Sequence, residues 1–252
     1  MKNSRFLGVL GTGVVLIVWQ IVGMTGILGP GIAPPTAIVG GVMHDGLAFY
    51  GVHIPVTLAS ASVGYLWGNL AAIACAALVT TVPALEKLVL QVGIASACIQ
   101  LIAIAPILAA CFDGVVTSAI MAAVSVFFTT LVGTINGLSH ADSSSEDLVR
   151  AYGGGEYLVL RKVQLMSALP SILTALKVAV PAAILGTIIG EFMGQERGLG
   201  AALVVAQSSS DVVRTWGITL VSSLIAGLAF LLVNTVEKIA TPWAASTSGV
   251  NA

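Results

Sequence analysis

The segment "EDLVRAYGGGEYLVLRKVQLMSALP", residues 146–170, is the most charged stretch of a chain that is otherwise strongly apolar. The 252 residues are 57% hydrophobic and only 8% charged, whereas soluble domains carry about 25% charged residues. A soluble core of this length could not cover so much apolar surface, so we expect the lipid bilayer to be the solvent for most of the chain. The net charge of −1 offers no basic surface for nucleic acid.

The apolar runs on both sides of this segment are long enough to cross a membrane, which takes roughly 20 mostly apolar residues. Six runs qualify, at about 6–28, 56–83, 88–112, 115–138, 171–193 and 215–236. The sequence therefore predicts an all-α membrane protein with about six transmembrane helices, forming a single domain over residues 1–252. Residues 1–32 form its first span, which we expect to be retained because no small-x-small cleavage site precedes a soluble domain.

Lysine and arginine are distributed unequally between the two ends of these spans. If the N-terminus lies inside, eight of the ten fall on the cytoplasmic side: Lys2, Arg5, Lys87, Arg150, Arg161, Lys162, Lys177 and Lys238. Cytoplasmic loops are enriched in these residues. We therefore expect both termini, and the charged segment at 140–170, to be cytoplasmic, with the loop at 29–46 facing outward.

The spans contain many small residues, as in 60–77 and 179–192, which let helix backbones approach closely. They favour a packed bundle over isolated anchors. Pro106 and Pro181 interrupt the third and fifth spans, a feature that transporters and plain helical bundles share.

The charged segment predicts two helices joined by a glycine turn. Ser143 and Glu146 have the S-x-x-E spacing of a capping box, and Ser144 and Asp147 have an acidic variant of it, so a short helix should begin near Ser143 or Ser144. Gly153, Gly154 and Gly155 can end it at low steric cost, and a second helix resumes at Glu156. This pair could lie on the inner leaflet as an interfacial helix, or it could contact another protein.

The segment resembles the cytoplasmic loop of the integral membrane permease of bacterial ABC importers of the type I fold. The branch it is most similar to includes sulfonate, taurine, nitrate and thiamine-precursor permeases. The family pattern is E-A-A-x3-G-x9-I-x-L-P, and its E-A-A and glycine positions correspond here to Asp147, Leu148, Val149 and Gly153. The first Leu-Pro becomes Leu-Met at Met166, and "SALP" at 167–170 matches a second Leu-Pro.

Further motifs occur in the family's order along the chain. They are "APPTAI" at 33–38, "IQLIAIAPIL" at 99–108 and "GTIIGEFMGQERGLGAAL" at 186–203. The last of these is similar to the family's V-x-A-E-x-x-G-x-x-x-G-L-G stretch. The resemblance extends over residues 33–243, which we take as the permease core.

The resemblance implies a coupling helix between the fourth and fifth spans, seated in a cleft of an ABC ATPase. Its contact residues would be Asp147, Leu148, Val149, Arg150, Tyr152, Gly153, Gly154 and Gly155. The chain has no G-x4-G-K-[ST] loop, so ATP and Mg²⁺ would be bound by the partner ATPase, and this chain would hold no cofactor and be no enzyme. The other implied partners are an extracytoplasmic solute-binding protein and a second permease, either a copy or a paralogue.

Five residues are candidates for the solute pathway or its gate: Asn69, Gln100, Glu191, Gly198 and Gly200. Asn69 and Gln100 fall inside predicted spans, where each should line the pathway or find a hydrogen-bond partner. Glu191 is an acid near membrane depth, where ionisable groups are often functional. It could instead lie in headgroup water, pairing with Arg197 or capping a loop. Gly198 and Gly200 lie in the predicted outer loop.

The remaining lysine, histidine and cysteine residues of interest indicate no specific function. We expect Lys177 to snorkel to the inner surface, and the three histidines (His44, His53 and His140) to lie in loops without metal ligation. The cysteines (Cys75, Cys98 and Cys111) should be small apolar core residues.

Two other classes of membrane protein compete with the importer permease. An ion-coupled secondary carrier would show an inverted repeat and charged coupling sites in the bundle, and neither is visible. An intramembrane enzyme would need catalytic groups at one depth, whereas the ionisable residues here are isolated. The sequence leaves open the transported solute, for which we expect a small organic molecule or oxyanion.

Overall fold

The structure, a computed structural model, describes residues 2–98, 100–139 and 143–241. The regular elements in these ranges are helical, as predicted. The long helices are α1 (Lys2–Thr25), α2 (Pro35–Thr81), α5 (Gly114–Ser139), α8 (Leu165–Glu191) and α10 (Val212–Ala240). The shorter ones are α3 (Glu86–Cys98), α4 (Leu101–Cys111), α6 (Ser143–Ala151), α7 (Glu156–Val159) and α9 (Leu199–Ser208). A 3-10 turn at Pro83–Leu85 and a π-helical turn at Leu160–Gln164 connect neighbouring helices.

Within the described ranges, four helical stretches are long and apolar enough to cross a membrane: 35–79, 114–139, 157–191 and 212–240. They contain most or all of the second, fourth, fifth and sixth predicted spans. The apolar helices at the first and third spans are shorter, at 10–25 and 101–111. The third predicted span is not one helix, because Gln100 adopts an extended conformation (φ −75°, ψ 101°) between α3 and α4. The number of six crossings remains a prediction.

Two regions that the sequence predicts as outer loops are largely helical, which corrects that expectation. Residues 35–46 belong to α2, which begins at Pro35, a residue pre-organised for a helix start. Non-helical angles at Gly46 (φ 56°, ψ −166°) bend α2 there. Residues 199–208 form α9, because Leu199, Ala202 and Ala206 pack in one cluster with Tyr50 and Ile218.

Helix α5 lies at the centre of the bundle, between α2 and α8. Glycines permit the close approach on both sides. A Cβ at Gly64 of α2 would lie 2.3 Å from the Ala119 carbonyl oxygen, and one at Gly190 of α8 would lie 2.5 Å from the Cα of Ser118. The packed bundle that the small residues predict is therefore present, with its tightest seams along α5.

The outer surface of the bundle is apolar. Large side chains of α10, including Leu224, Leu228 and Leu232, are exposed. This distribution suits a chain whose outer faces meet lipid tails. Prolines do not end the helices that contain them: Pro106 lies within α4, and Pro170 and Pro181 lie within α8.

Candidate functional site

The N-terminus of α9 meets the end of α8 and the middle of α2 in a buried polar cluster. Glu191, the last residue of α8, is 1% exposed. Its Oε2 accepts hydrogen bonds from the Gly200 N–H at 2.7 Å and from the Thr57 hydroxyl at 3.1 Å. The Thr57 oxygen in turn accepts the Leu199 N–H at 2.8 Å. Side chains from two other helices thus satisfy the first N–H groups of α9, which have no partner within the helix.

His53, one turn before Thr57 on α2, completes this arrangement. Its Nδ1 accepts the Gly198 N–H at 3.2 Å and lies 3.0 Å from the Gly198 carbonyl oxygen. We call His53, Thr57, Glu191, Gly198 and Gly200 the outer cluster. Because its members come from α2, α8 and the start of α9, any displacement of α9 must break these hydrogen bonds.

At both glycines of the outer cluster there is no room for a side chain. A Cβ at Gly198 would lie 2.4 Å from the Glu191 carboxyl carbon, and one at Gly200 would lie 2.4 Å from the Ile188 carbonyl oxygen. Gly198 also has φ 129° and ψ 161°, a region open essentially to glycine alone. The two glycines of the "GLG" motif therefore allow α9 to pack directly against the buried carboxyl group of Glu191.

The structure distinguishes the interpretations of Glu191 that the sequence leaves open. Its side chain is buried and caps a helix, and its recorded contacts are with Thr57 and Gly200 rather than Arg197. Its Oε1 is buried without a hydrogen-bond partner among the described residues. A buried oxygen without a hydrogen-bond partner costs free energy, unless a change in conformation or an additional group supplies a donor.

Asn69 and Gln100 are not brought near the outer cluster. Asn69 is buried, donates to the Tyr65 carbonyl at 2.7 Å and accepts the Thr130 hydroxyl. It therefore joins α2 to α5 as a satisfied core residue. Gln100 is exposed and lies at the break between α3 and α4, not inside a helix as predicted.

The charged segment forms the two helices and the glycine turn that the sequence predicts. Helix α6 begins at Ser143, and the chain leaves it at Gly153, whose φ is 81°. The N–H groups of Gly153 and Gly154 donate to the carbonyls of Arg150 and Val149, both at 2.9 Å. These bonds satisfy two of the carbonyls left over at the helix end. From Glu156 the chain is helical again, through α7 and the π-helical turn into α8.

Helix α6 displays a mixed apolar and charged surface. Leu148 is 59% exposed and Tyr152 is 86% exposed. Arg150 lies 3.6 Å from the carboxylate of Asp147. Exposed large apolar groups outside the predicted spans are typical of a surface that another molecule covers.

Lys177, which the sequence predicts to snorkel to the inner surface, has a partner within the bundle that the sequence did not indicate. Its ammonium group forms an ion pair with Glu237, which joins α8 to α10. The Thr174 hydroxyl donates to the other oxygen of Glu237 at 2.6 Å. These residues line a cleft of about 770 Å³ between α5, α8 and α10.

Several residues with specific contacts were missed from the sequence. Asp45 and Arg214 form a bidentate pair, at 2.7 and 3.0 Å, between α2 and α10. Thr57 and Glu237 lie in no local sequence motif that would have indicated their contacts. His44 and His53 lie in α2 rather than in loops, and His140 lies outside the described residues. The i, i+4 spacing of His53 and Thr57 is the one signal that could have suggested a shared helix face.

A bundle of apolar helices with short polar connections defines a multi-pass membrane protein. Sequence comparison then gives its family: the family described as the binding-protein-dependent transport system inner membrane component matches residues 68–245, and the chain belongs to it. The predicted resemblance to ABC importer permeases is therefore confirmed, and the chain is a transport permease rather than an enzyme.

Two curated relatives agree with this family. The chain is 28% identical over 213 residues to a "Probable ABC transporter permease protein" of Haemophilus influenzae, covering 84% of this chain and 87% of that protein. It is also 28% identical over 232 residues to the "Formylaminopyrimidine transport permease protein ThiX" of Halalkalibacterium halodurans, covering 91% and 92%. The secondary carrier and the intramembrane enzyme are therefore set aside.

Proposed function

We propose that this permease couples to an ABC ATPase through α6 and transmits the movement along α8 to the outer cluster. The observation that carries this proposal is the exposed pair formed by Leu148 on α6 and Tyr152 directly after it. They lie just before a glycine turn, after which the chain is helical as far as Glu191. A partner groove that covers the two side chains would hold α6 by burial of apolar surface.

The length of the helical run suits this role. Residues 157–191 number 35, and at a rise of 1.5 Å per residue they extend over roughly 52 Å. Such a run reaches from a cytoplasmic docking helix across the whole bilayer. The π-helical turn at 160–164 and Pro170 are points where the run can bend.

We assign the topology of the chain and its other partners from the same family resemblance. The permease crosses the membrane six times with both termini in the cytoplasm, and ATP and Mg²⁺ are bound by the partner ATPase. A solute-binding protein delivers solute at the outer face, and a second permease, copy or paralogue, completes the pathway. Helix α9 acts as the outer gate, released when the bonds of the outer cluster break.

For the solute, the relatives supply the starting point. One is named for the transport of formylaminopyrimidine, a small polar organic molecule. We propose a solute of the same general class for this chain, and substituted aminopyrimidines are the first compounds to assay.

The alternative role for α6 is binding to the inner leaflet. Leu148 and Tyr152 could insert between lipids while Arg161 and Lys162 contact phosphates. The two roles differ in one consequence, because a membrane-bound α6 would not be needed to retain an ATPase.

The test is copurification of the ATPase from native membranes in mild detergent. We expect the wild-type chain to retain an ABC ATPase and the double variant Leu148→Asp, Tyr152→Ser to lose it. Tyr157→Ser, which changes an exposed aromatic residue beyond the glycine turn, is the matched control and should retain the ATPase. Retention by the double variant would overturn the docking role of α6.

A further inference from the structure

The cleft between α5, α8 and α10 is a second polar site, separate from both α6 and the outer cluster. Its volume of about 770 Å³ is in the range of small-molecule sites, which run from about 300 to 1,000 Å³. Its polar lining residues include Thr174 and Lys177 from α8, and Asn234, Glu237 and Lys238 from α10. The rest of the lining mixes apolar residues with four further polar ones: Thr129, Asn136, Ser171 and Thr241.

The Lys177–Glu237 pair at this site is partly withdrawn from solvent. The two side chains are 18% and 15% exposed. Lys177 lies 14 residues before Glu191 on α8, or roughly 21 Å along the helix. If Glu191 lies near the outer edge of a hydrocarbon layer about 30 Å thick, Lys177 lies within that layer.

Joining two helices does not by itself require this ion pair. Well-packed apolar residues often serve as well as a buried pair or better, and α8 and α10 already contact each other over other residues. Ionisable side chains within a membrane span are costly and usually mark a site for an ion or a polar ligand. We therefore expect the Lys177–Glu237 pair to bind a ligand in addition to holding α8 against α10.

The charges in the cleft favour an anion. Glu237 has both oxygens engaged, one by the Thr174 hydroxyl and one by the Lys177 ammonium group. Lys177 also approaches the Asn234 side-chain oxygen at 3.4 Å. The same ammonium group lies 5.9 Å from the centroid of the Phe230 ring, so its known contacts are one carboxylate, one amide oxygen and one aromatic face. Lys238 adds a second ammonium group to the same lining, giving two positive charges against one negative.

We propose that this cleft binds an oxyanion group, such as a sulfonate, phosphate or carboxylate, held by Lys177 and Lys238. Glu237 and Thr174 orient the Lys177 side chain. The group can be carried by a small solute or by an anionic lipid headgroup, because both present the same charged oxygens. The site does not depend on the roles proposed for α6 and α9, since its assay needs neither ATP nor a receptor.

The first measurement is calorimetric binding of methanesulfonate to the full chain in phosphatidylcholine nanodiscs, against sodium chloride at equal ionic strength. In parallel, native mass spectrometry of detergent-solubilised protein compares retention of phosphatidylglycerol with that of phosphatidylcholine. Binding of methanesulfonate identifies a site for a soluble oxyanion. Selective retention of phosphatidylglycerol without methanesulfonate binding identifies a lipid site.

Variants connect either signal to the cleft. Lys238→Gln changes an exposed residue and should weaken binding about 10-fold, the loss expected for one charge-assisted hydrogen bond. Lys177→Met combined with Glu237→Leu removes the ion pair without leaving an unpaired charge and should abolish binding. Lys87→Gln, a lysine on α3 outside the cleft, is the matched control and should leave it unchanged.

The proposal is overturned if neither probe binds, or if the bound probe is insensitive to both Lys238→Gln and the double variant. The ion pair would then serve only to hold α8 against α10. If the double variant fails to fold, Lys238→Gln alone decides, because it lies outside the ion pair.

Discussion

The outer cluster and the turn after α6 both depend on glycine, but for opposite reasons. At Gly198 and Gly200, a Cβ would collide with Glu191 or with the backbone of α8. At Gly153 and Gly155, no described atom lies within 4 Å of the position that a Cβ would take. The first pair brings two helices together, whereas Gly153, with its φ of 81°, only lets the chain turn.

This difference separates a closed region from an accessible one. Around Glu191 the polar groups are buried and mostly paired, so motion there must break several hydrogen bonds together. Near α6, Leu148 and Tyr152 are exposed, and only Gly154 of the three turn glycines is crowded, by Val149 and Leu158. Helix α6 can therefore change its angle to α8 without breaking a buried polar cluster. Substitutions in the two regions should therefore differ in their effects on stability.

Gly198→Ala should have the largest effect. It adds strain at a φ/ψ combination reserved for glycine and a clash with the Glu191 carboxyl group, which together cost about 3 kcal/mol or more. Thermal unfolding of the purified protein in detergent measures the loss. Gly13→Ala in the interior of α1, where no described atom crowds the site, is the control and should be neutral or mildly stabilising. Equal melting temperatures for the two variants would refute the crowding of Gly198.

Thr57→Val should have the next largest effect. The valine keeps the shape of threonine but leaves the Leu199 N–H and one bond to Glu191 unsatisfied, at a cost of about 2 kcal/mol. Thr57→Ser keeps the hydroxyl and should recover most of the stability. The same unfolding assay measures both variants, and a Val variant as stable as the Ser variant would remove Thr57 from the cluster.

Gly153→Ala should have a smaller effect. Alanine can adopt the left-handed conformation at a cost of about 1 kcal/mol, and the open surroundings add no clash. Gly155→Ala, at a position without positive φ, should be nearly neutral. If Gly153→Ala proved as costly as Gly198→Ala, the turn after α6 would be packed against something, contrary to the structure.

Replacement of Leu148 and Tyr152 together by serine should have the smallest effect on stability, within about 0.5 kcal/mol, because both side chains are exposed. Leu138→Ser is the matched control: Leu138 is buried in the cluster around Leu131, and its loss should cost several kcal/mol, on the order of 3. The comparison uses melting temperature in the same detergent. A large drop for the double variant would mean that α6 packs on the bundle.

Features with local causes were predictable from the sequence. Helix α6 (Ser143–Ala151) and the turn at Gly153 were predictable, because the S-x-x-E spacing and the three glycines lie within one short segment. The fourth span, predicted as 115–138, appears as Gly114–Ser139, because a long apolar run marks a spanning helix whether its faces meet lipid or other helices. The family was also accessible, since its motifs keep a fixed order along the chain.

Features that depend on distant partners were not predictable. Lys177 was expected at a membrane surface because a lone lysine near a span end usually snorkels, and its partner Glu237 lies 60 residues away. The break at Gln100 was missed because its neighbours on both sides are uniformly apolar. The stretch at 199–208 was expected as a loop because its small residues show their helical packing only when Tyr50 and Ile218 are beside them.

The amino-acid sequence by itself determined that this chain is helical, lies in a membrane, and interrupts its apolar runs with a capped helix and a glycine turn. These properties come from hydropathy and from hydrogen bonds between residues a few positions apart. Only the tertiary structure decided that Thr57 caps Leu199, 142 residues away, and that Glu191 is buried beneath two glycines. Such pairings depend on how helices are placed against one another, and that placement results from packing over the whole bundle.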